Sequence, residues 1–182
     1  MNKVINQLVA TTVFAMSMNA FAAESGGSGT INFTGQITKT SCELIFPNGN
    51  NTIDLGVYPV SYFTLVGTQT LRVPFQIELK GCNDTMNPER AYLTFIGESV
   101  SVNGQLLQST GVAMGVGVAI YTTYDPSNTK LNFSTGGITP EFDLAPTDQT
   151  TALSFDANME SFENAVGAGS VAASANILVH YN

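Results

Sequence analysis

Tryptophan is absent from the 182 residues, histidine occurs once and cysteine only twice. Metal centres and nucleophile–base pairs draw heavily on those residue types, so neither has much to be built from here. Positive charge is also scarce, with six Lys+Arg against 14 Asp+Glu and a formal charge of −8. That balance excludes the basic footprint of a nucleic-acid binder and the polybasic patch of a membrane-surface protein. Charged residues of either sign make up only 11% of the chain, whereas 43% are hydrophobic and 17 are glycine. A disordered acidic tail needs the opposite mix. The length suits one domain with some processing sequence. A sustained helical period is missing, as is any internal repeat.

Alternation of period two appears repeatedly instead. Leu71, Val73, Phe75, Ile77 and Leu79 fall on one face, opposite Arg72, Gln76, Glu78 and Lys80. Pro74 lacks an N–H and predicts an edge or an irregularity in that strand. Val112, Met114, Val116, Val118 and Ile120 form a second face, backed by Gly111, Ala113, Gly115, Gly117 and Ala119. Shorter strands are expected at 53–57, 92–96, 142–144 and 153–155. Turn chemistry separates them at 47–51, 83–88, 103–104, 125–128 and 136–137. Residues 161–169 read as a loop before a last strand. Many short strands at this spacing predict an all-β antiparallel sandwich.

The N-terminal stretch reads as processing sequence. Lys3 gives a short positive region, 4–18 are mostly apolar, and Ala20-Phe21-Ala22 supplies the small-x-small pattern of a signal peptidase site. Residues 1–22 are therefore expected to be a signal peptide, cut after Ala22 or Ala23. No membrane insertion is expected after its removal, and loss of Lys3 takes the net charge to −9. An exported protein with two cysteines is expected to form a Cys42–Cys82 disulfide.

The two ends carry the most information. The loop-like Ser25-Gly26-Gly27-Ser28-Gly29 runs into Thr30-Ile31-Asn32-Phe33-Thr34-Gly35-Gln36-Ile37, where Gly29, Ile31, Phe33, Gly35 and Ile37 share one parity. At the other end Gly169, Val171, Ala173, Ala175, Ile177, Val179 and Tyr181 form one odd-numbered face. The sequence stops one residue after that tyrosine, although strand ends are normally polar and frayed. Taken alone, 30–37 also fit an ordinary first strand behind a linker, and 169–181 an ordinary closing strand.

These end patterns, with Cys42 following the glycine-rich segment and Cys82 forty residues on, resemble the chaperone–usher pilin family. Within it they are most similar to type 1 fimbrial major subunits. The resemblance implies an incomplete immunoglobulin-like β-sandwich, missing its last strand and carrying an N-terminal donor-strand extension. Residues 23–36 would be that extension, with Gly29, Ile31, Phe33 and Gly35 on its docking face and Ile31 and Phe33 as anchors. Residues 37–182 would be the pilin domain. Gly169, Val171, Ala173, Ala175, Ile177, Val179 and Tyr181 would line the groove that takes first a chaperone strand and then a neighbour's extension. Such strand addition to an open edge is a known recognition mode, of which chaperone–pilin complementation is a standing example. The partners so implied are a periplasmic chaperone, an outer-membrane usher and other pilin subunits in a fimbria at the cell surface. No nucleic acid, metal, cofactor or catalytic role is expected.

Other signals carry less. Gly115-Val116-Gly117 lacks the third glycine of a dinucleotide fingerprint, and Gly26-Gly27-Ser28-Gly29-Thr30 lacks the lysine of a phosphate loop. Glu141 and Asp143 share a strand face and read as solvated carboxylates. By parity, His180 is expected on the outer surface of the last strand. A second function remains open at this point, a minor or adhesive pilin binding a host carbohydrate or receptor, with Tyr58, Tyr62, Phe63, Tyr121 and Tyr124 as candidate contact aromatics.

Overall fold

The computed structural model describes residues 42–47, 49, 51–82, 90–100, 102–146 and 149–182, all within the unit Thr38–Asn182. Among the described residues nine strands follow in chain order: β1 Glu43–Ile45, β2 Val73–Lys80, β3 Arg90–Ile96, β4 Ser99–Val100, β5 Asn103–Leu107, β6 Val116–Thr122, β7 Phe142–Asp143, β8 Thr150–Ser161 and β9 Asn176–Tyr181. They make two antiparallel sheets. One runs β1-β2-β8-β6-β5-β4 and the other β7-β3-β9. Among the described residues the only helices are two single 3-10 turns, Val60–Tyr62 and Phe133–Thr135.

The sheets close on one apolar core because each central strand alternates. Ile77 and Leu79 of β2, Leu93 and Phe95 of β3, and Leu153 and Phe155 of β8 are all 2% exposed or less. Phe155 sits at the centre, stacked on Phe75 and met edge-on by Phe95 and Tyr124. Full burial of such a side chain contributes roughly 2–3 kcal/mol. β2 and β8 are in register from Val73↔Ala157 to Lys80↔Thr150. β1 covers only Glu78–Lys80, so β2 has no second partner strand beside Pro74 among the described residues. That is the position a residue without an N–H tolerates.

Several sequence expectations need correction. Leu71 is 74% exposed while Thr70 is buried. The chain changes sides just before β2 because Thr70 is tied to Met159 by both its amide and its hydroxyl. Val112 and Met114 do not continue the β6 face and are 75% and 68% exposed. Gly115, at φ +74°, ends that strand, and the residues before it turn away. Further, 53–57 form no strand, β8 is far longer than 153–155, and 103–104, expected as a turn, instead begin β5, where Asn103 pairs with Val100 of β4.

A second, smaller core lies on the outer face of the large sheet, where Val100, Leu106, Ala119 and Tyr121 are buried with Phe162 against them. Beside it the outward residues Asn158 and Glu160 of β8 are 0% and 6% exposed, with Gln69, Thr70 and Lys130 bonded to them. Glu160 Oε2 accepts from Lys130 Nζ at 2.7 Å and from Gln69 Nε2 at 2.8 Å. The Arg72 guanidinium lies 3.5 Å from the centre of the Tyr121 ring. Tyr121 Oη is buried with no hydrogen-bond partner among the described residues. Burial first, then the Glu160 carboxylate, pushes the Tyr121 phenol above its ordinary value, with Arg72 acting the other way. A folded-state value above the unfolded one gives stability that is complete below pH ~10 and is lost as pH rises through the folded value. Tyr121→Phe is therefore expected to reduce alkaline loss of stability, and to cost under about 1 kcal/mol at neutral pH because it removes an unsatisfied hydroxyl. Urea unfolding at neutral and alkaline pH measures both.

The sandwich has two unlike poles. At one, the Cys42–Cys82 disulfide joins the chain entering β1 to the chain leaving β2, near the end of β9. The other, where β8 ends at Ser161, is formed by the 65–68 turn, the start of β6 and the 163–167 loop. We term this second end the far pole.

Candidate functional site

β1 and β9 are the terminal strands of their sheets, and between those two edges runs a groove of about 1230 Å³. One wall is Leu44 and Phe46 followed by residues 51–60, which form no strand. The other is the chain from Val166 to Ile177. The floor is core, including Phe75, Phe95, Val118 and Ile120. A core that opens to the surface along a groove between two sheet edges is what a sandwich one strand short would present.

The C-terminal wall shows how the site is made. From Val171 to Leu178 the chain alternates strictly, odd residues half-buried and even residues exposed. Val171, Ala173, Ala175, Ile177, Val179 and Tyr181 all pack on the edge of the core, yet none of them is fully covered. β9 pairs with β3 through six positions, Ala91↔Tyr181 to Ile96↔Asn176. No strand pairs with its other edge among the described residues. Upstream the chain leaves β3 and is held by the segment before β6: Thr110 N–H donates to Ala172 O at 2.7 Å and Ala113 N–H to Ser170 O at 3.0 Å. The last strand expected at 169–181 is thus one extended segment whose two halves belong to different ladders.

Small residues make that crossing possible. A Cβ on Gly169 would stand 2.6 Å from the Ala113 nitrogen, and one on Gly111 would stand 2.0 Å from Ser170 O. Gly169→Ala is expected to force the two backbones apart, lowering stability by about 2 kcal/mol and weakening strand uptake by the groove. Thermal melting with and without an added strand peptide reads both effects.

The groove narrows to a tie at the disulfide pole. Cys42 N–H donates to Tyr181 Oη at 2.7 Å, joining the two sheet edges. Val179 and Tyr181 lie past the groove lining on the same face, so the penultimate aromatic closes the groove's end. Nothing in the sequence points to this pairing, because the residues are 139 apart. The opposite wall is equally silent in the sequence. Alternation assigns Ile53 and Leu55 to a strand, and their role as groove wall emerges only once β9 is placed.

Gly29, Ile31, Phe33 and Gly35 lie outside the described residues. Cys42 and Cys82 form the expected disulfide. Glu141 and Asp143 pair with Arg90 at 2.8 and 3.4 Å. His180 is half-buried and stacks on Tyr92 with ring centres 4.7 Å apart. Among the described residues, no three His, Cys, Asp or Glu side chains come together as a metal site. No described helix is long and apolar enough to cross a membrane.

Comparison with known proteins agrees with this architecture. The profile of the family described as "Fimbrial protein" matches residues 31–182. The chain belongs to the fimbrial protein family. Among its relatives, the probable major fimbrial subunit LpfA of Escherichia coli O157:H7 is 34% identical over 88% of this chain and 86% of that protein. Long polar fimbria protein A of Salmonella typhimurium is 33% identical over 93% and 90%. The fold is also that of the P pilus rod subunit PapA, with a TM-score of 0.65 at 20% identity over 79% of this chain and 100% of the other. A chaperone–usher pilus subunit, solved in work on rod uncoiling, gives 0.63 at 21% over 86% and 96%. The fimbrial chain is thus an incomplete immunoglobulin-like sandwich, a structural subunit of a surface fimbria that assembles with other pilins.

Proposed function

We propose that this fimbrial subunit polymerises by strand exchange. Its groove accepts the N-terminal extension of the next subunit, and its own extension fills the groove of another. The supporting observation is the alternating, half-covered face at 171–177 along an unpaired sheet edge. An incoming strand would satisfy that edge's backbone groups and cover the apolar floor. Residues 23–36 are the extension, freed by signal-peptide cleavage after Ala22 or Ala23. Ile31 and Phe33 are its anchors, and each contributes roughly 2–3 kcal/mol on full burial. Gly29 and Gly35 occupy positions where no side chain is admitted. Before assembly the groove is held by a strand from a periplasmic chaperone, which hands the subunit to an outer-membrane usher. The protein works without catalysis or a cofactor.

The adhesive alternative finds little support, because Phe63 and Tyr121 are buried and Tyr124 packs on Phe142 and Phe155. The test is co-expression with the cognate chaperone followed by electrophoresis of unboiled samples. The mature chain is expected to give a ladder of SDS-resistant multimers. A chain lacking 23–36 should give no ladder, yet bind a synthetic peptide of residues 24–37. A stable monomer that forms no multimers and ignores the peptide overturns the reading.

A further inference from the structure

Among the described residues, the groove wall at 53–58 belongs to neither sheet. The Gly56 N–H donates locally, to Asp54 Oδ1 at 2.9 Å, and side chains carry the support. Leu55 and Tyr58 line the groove and pack against Phe63, Val116 and Met159. One side chain behind the wall reaches further. Tyr62 ends the turn Val60–Tyr62, and its N–H donates to Pro59 O at 2.9 Å. Its ring meets that of Tyr58 with centres 5.0 Å apart and that of Phe63 edge-on at 5.6 Å. Its hydroxyl donates to Gln69 O at 3.2 Å.

Gln69 follows the 65–68 turn of the far pole and is itself fixed. It forms an antiparallel bridge with Glu160, and its Nε2 donates to Glu160 Oε2 at 2.8 Å. The next residue is tied as well: Thr70 N–H donates to Met159 O, and Met159 N–H donates to Thr70 Oγ1. Met159 and Glu160 belong to β8, which is flanked by β2 and β6. A continuous path thus runs from the wall through Tyr58, Tyr62 and Gln69 to a central strand.

We infer that Tyr62 is a positioning residue of the groove, fixing where the 55–60 wall stands and how closely it meets an incoming strand. The inference rests on the strand-exchange reading and adds a residue that acts on the strand without touching it. Tyr62 is absent from the groove lining and is 39% exposed. An aromatic ring with a polar tip suits the task, since the ring packs and the hydroxyl sets the distance to a rigid anchor. Tyr58, Tyr62 and Phe63 are thereby accounted for as groove support rather than as a receptor surface. Water largely replaces an exposed hydrogen bond on unfolding, so loss of the hydroxyl affects the wall more than global stability.

Tyr62→Phe separates the tie from the ring. In purified fimbriae of that variant, hydrogen exchange over residues 53–60 is expected to quicken about threefold, the worth of one modest hydrogen bond. Exchange in β3 and β8 is expected to stay parental. The peptide of residues 24–37 should leave the Tyr62→Phe subunit about threefold faster, at an unchanged urea midpoint. Tyr62→Ala also removes the ring beside Tyr58 and should release the peptide about tenfold faster. Parental exchange at the wall overturns the inference, as does a parental release rate. Faster release that only follows a lowered urea midpoint overturns it too, because that is a general loss of stability. Should Tyr62→Ala fail to fold, Tyr62→Phe decides alone. Failure of the peptide to bind parent and variants alike would instead remove the strand-exchange reading, and exchange in the fimbria would still decide whether Tyr62 fixes the wall.

Discussion

Replacing Cys42 and Cys82 together by serine is expected to lower stability by about 4 kcal/mol, since opening a closed loop of this size restores that much chain entropy to the unfolded state. The sequence separation is 40. For a domain whose whole stability lies in the range of about 5–15 kcal/mol, such a loss leaves a substantial unfolded fraction. A local effect adds to it. Cys42 is the residue whose amide is held by Tyr181, so loss of the bridge also frees the β1 edge from the end of β9. The variant should therefore take up the 24–37 peptide more weakly than stability alone dictates. Urea titration gives the first quantity and peptide titration in native buffer the second. A double-serine chain that melts and binds like its parent would refute both.

Lys130→Met is expected to cost about 3 kcal/mol, the usual range for stripping a buried charge of its partner. Glu160 keeps only the Gln69 amide in that variant, although its side chain is 7% exposed and that of Lys130 17%. Adding Glu160→Leu should recover most of the loss, because an apolar pair leaves no charge to solvate. The parental pair is also expected to be nearly indifferent to salt, unlike the exposed Arg90–Glu141 pair. Denaturant unfolding of the parent and both variants, at low and high ionic strength, gives the comparison.

Period-two alternation locates the elements in which it expresses burial on one side of a sheet. β2 and β3 are legible for that reason; β6 also alternates in sequence although both of its faces are buried, and the turns at 125–128 and 136–137 are legible from their turn-forming residues. It fails where a residue's environment is set by something distant. Asn158 and Glu160 break the alternation of β8 because residues 69–70 and Lys130 bond to them on that face, and no local pattern announces that cover. Val112 and Met114 fit the β6 pattern, but the left-handed Gly115 redirects the chain. The 53–57 segment alternates correctly and still forms no strand, since a strand needs a neighbour as well as a pattern. For the candidate site, the odd-numbered face at 171–181 is readable in full. Its facing wall, and the tie between Tyr181 and Cys42, depend on sheet order and are not.

The division of the closing segment between two ladders bears on how the fibre carries force. Tension applied through a strand seated beside it acts along the strand axes, so hydrogen bonds are loaded in shear and many must yield together. Because 110–113 hold its upstream half and β3 its downstream half, the load divides between the two layers of the sandwich.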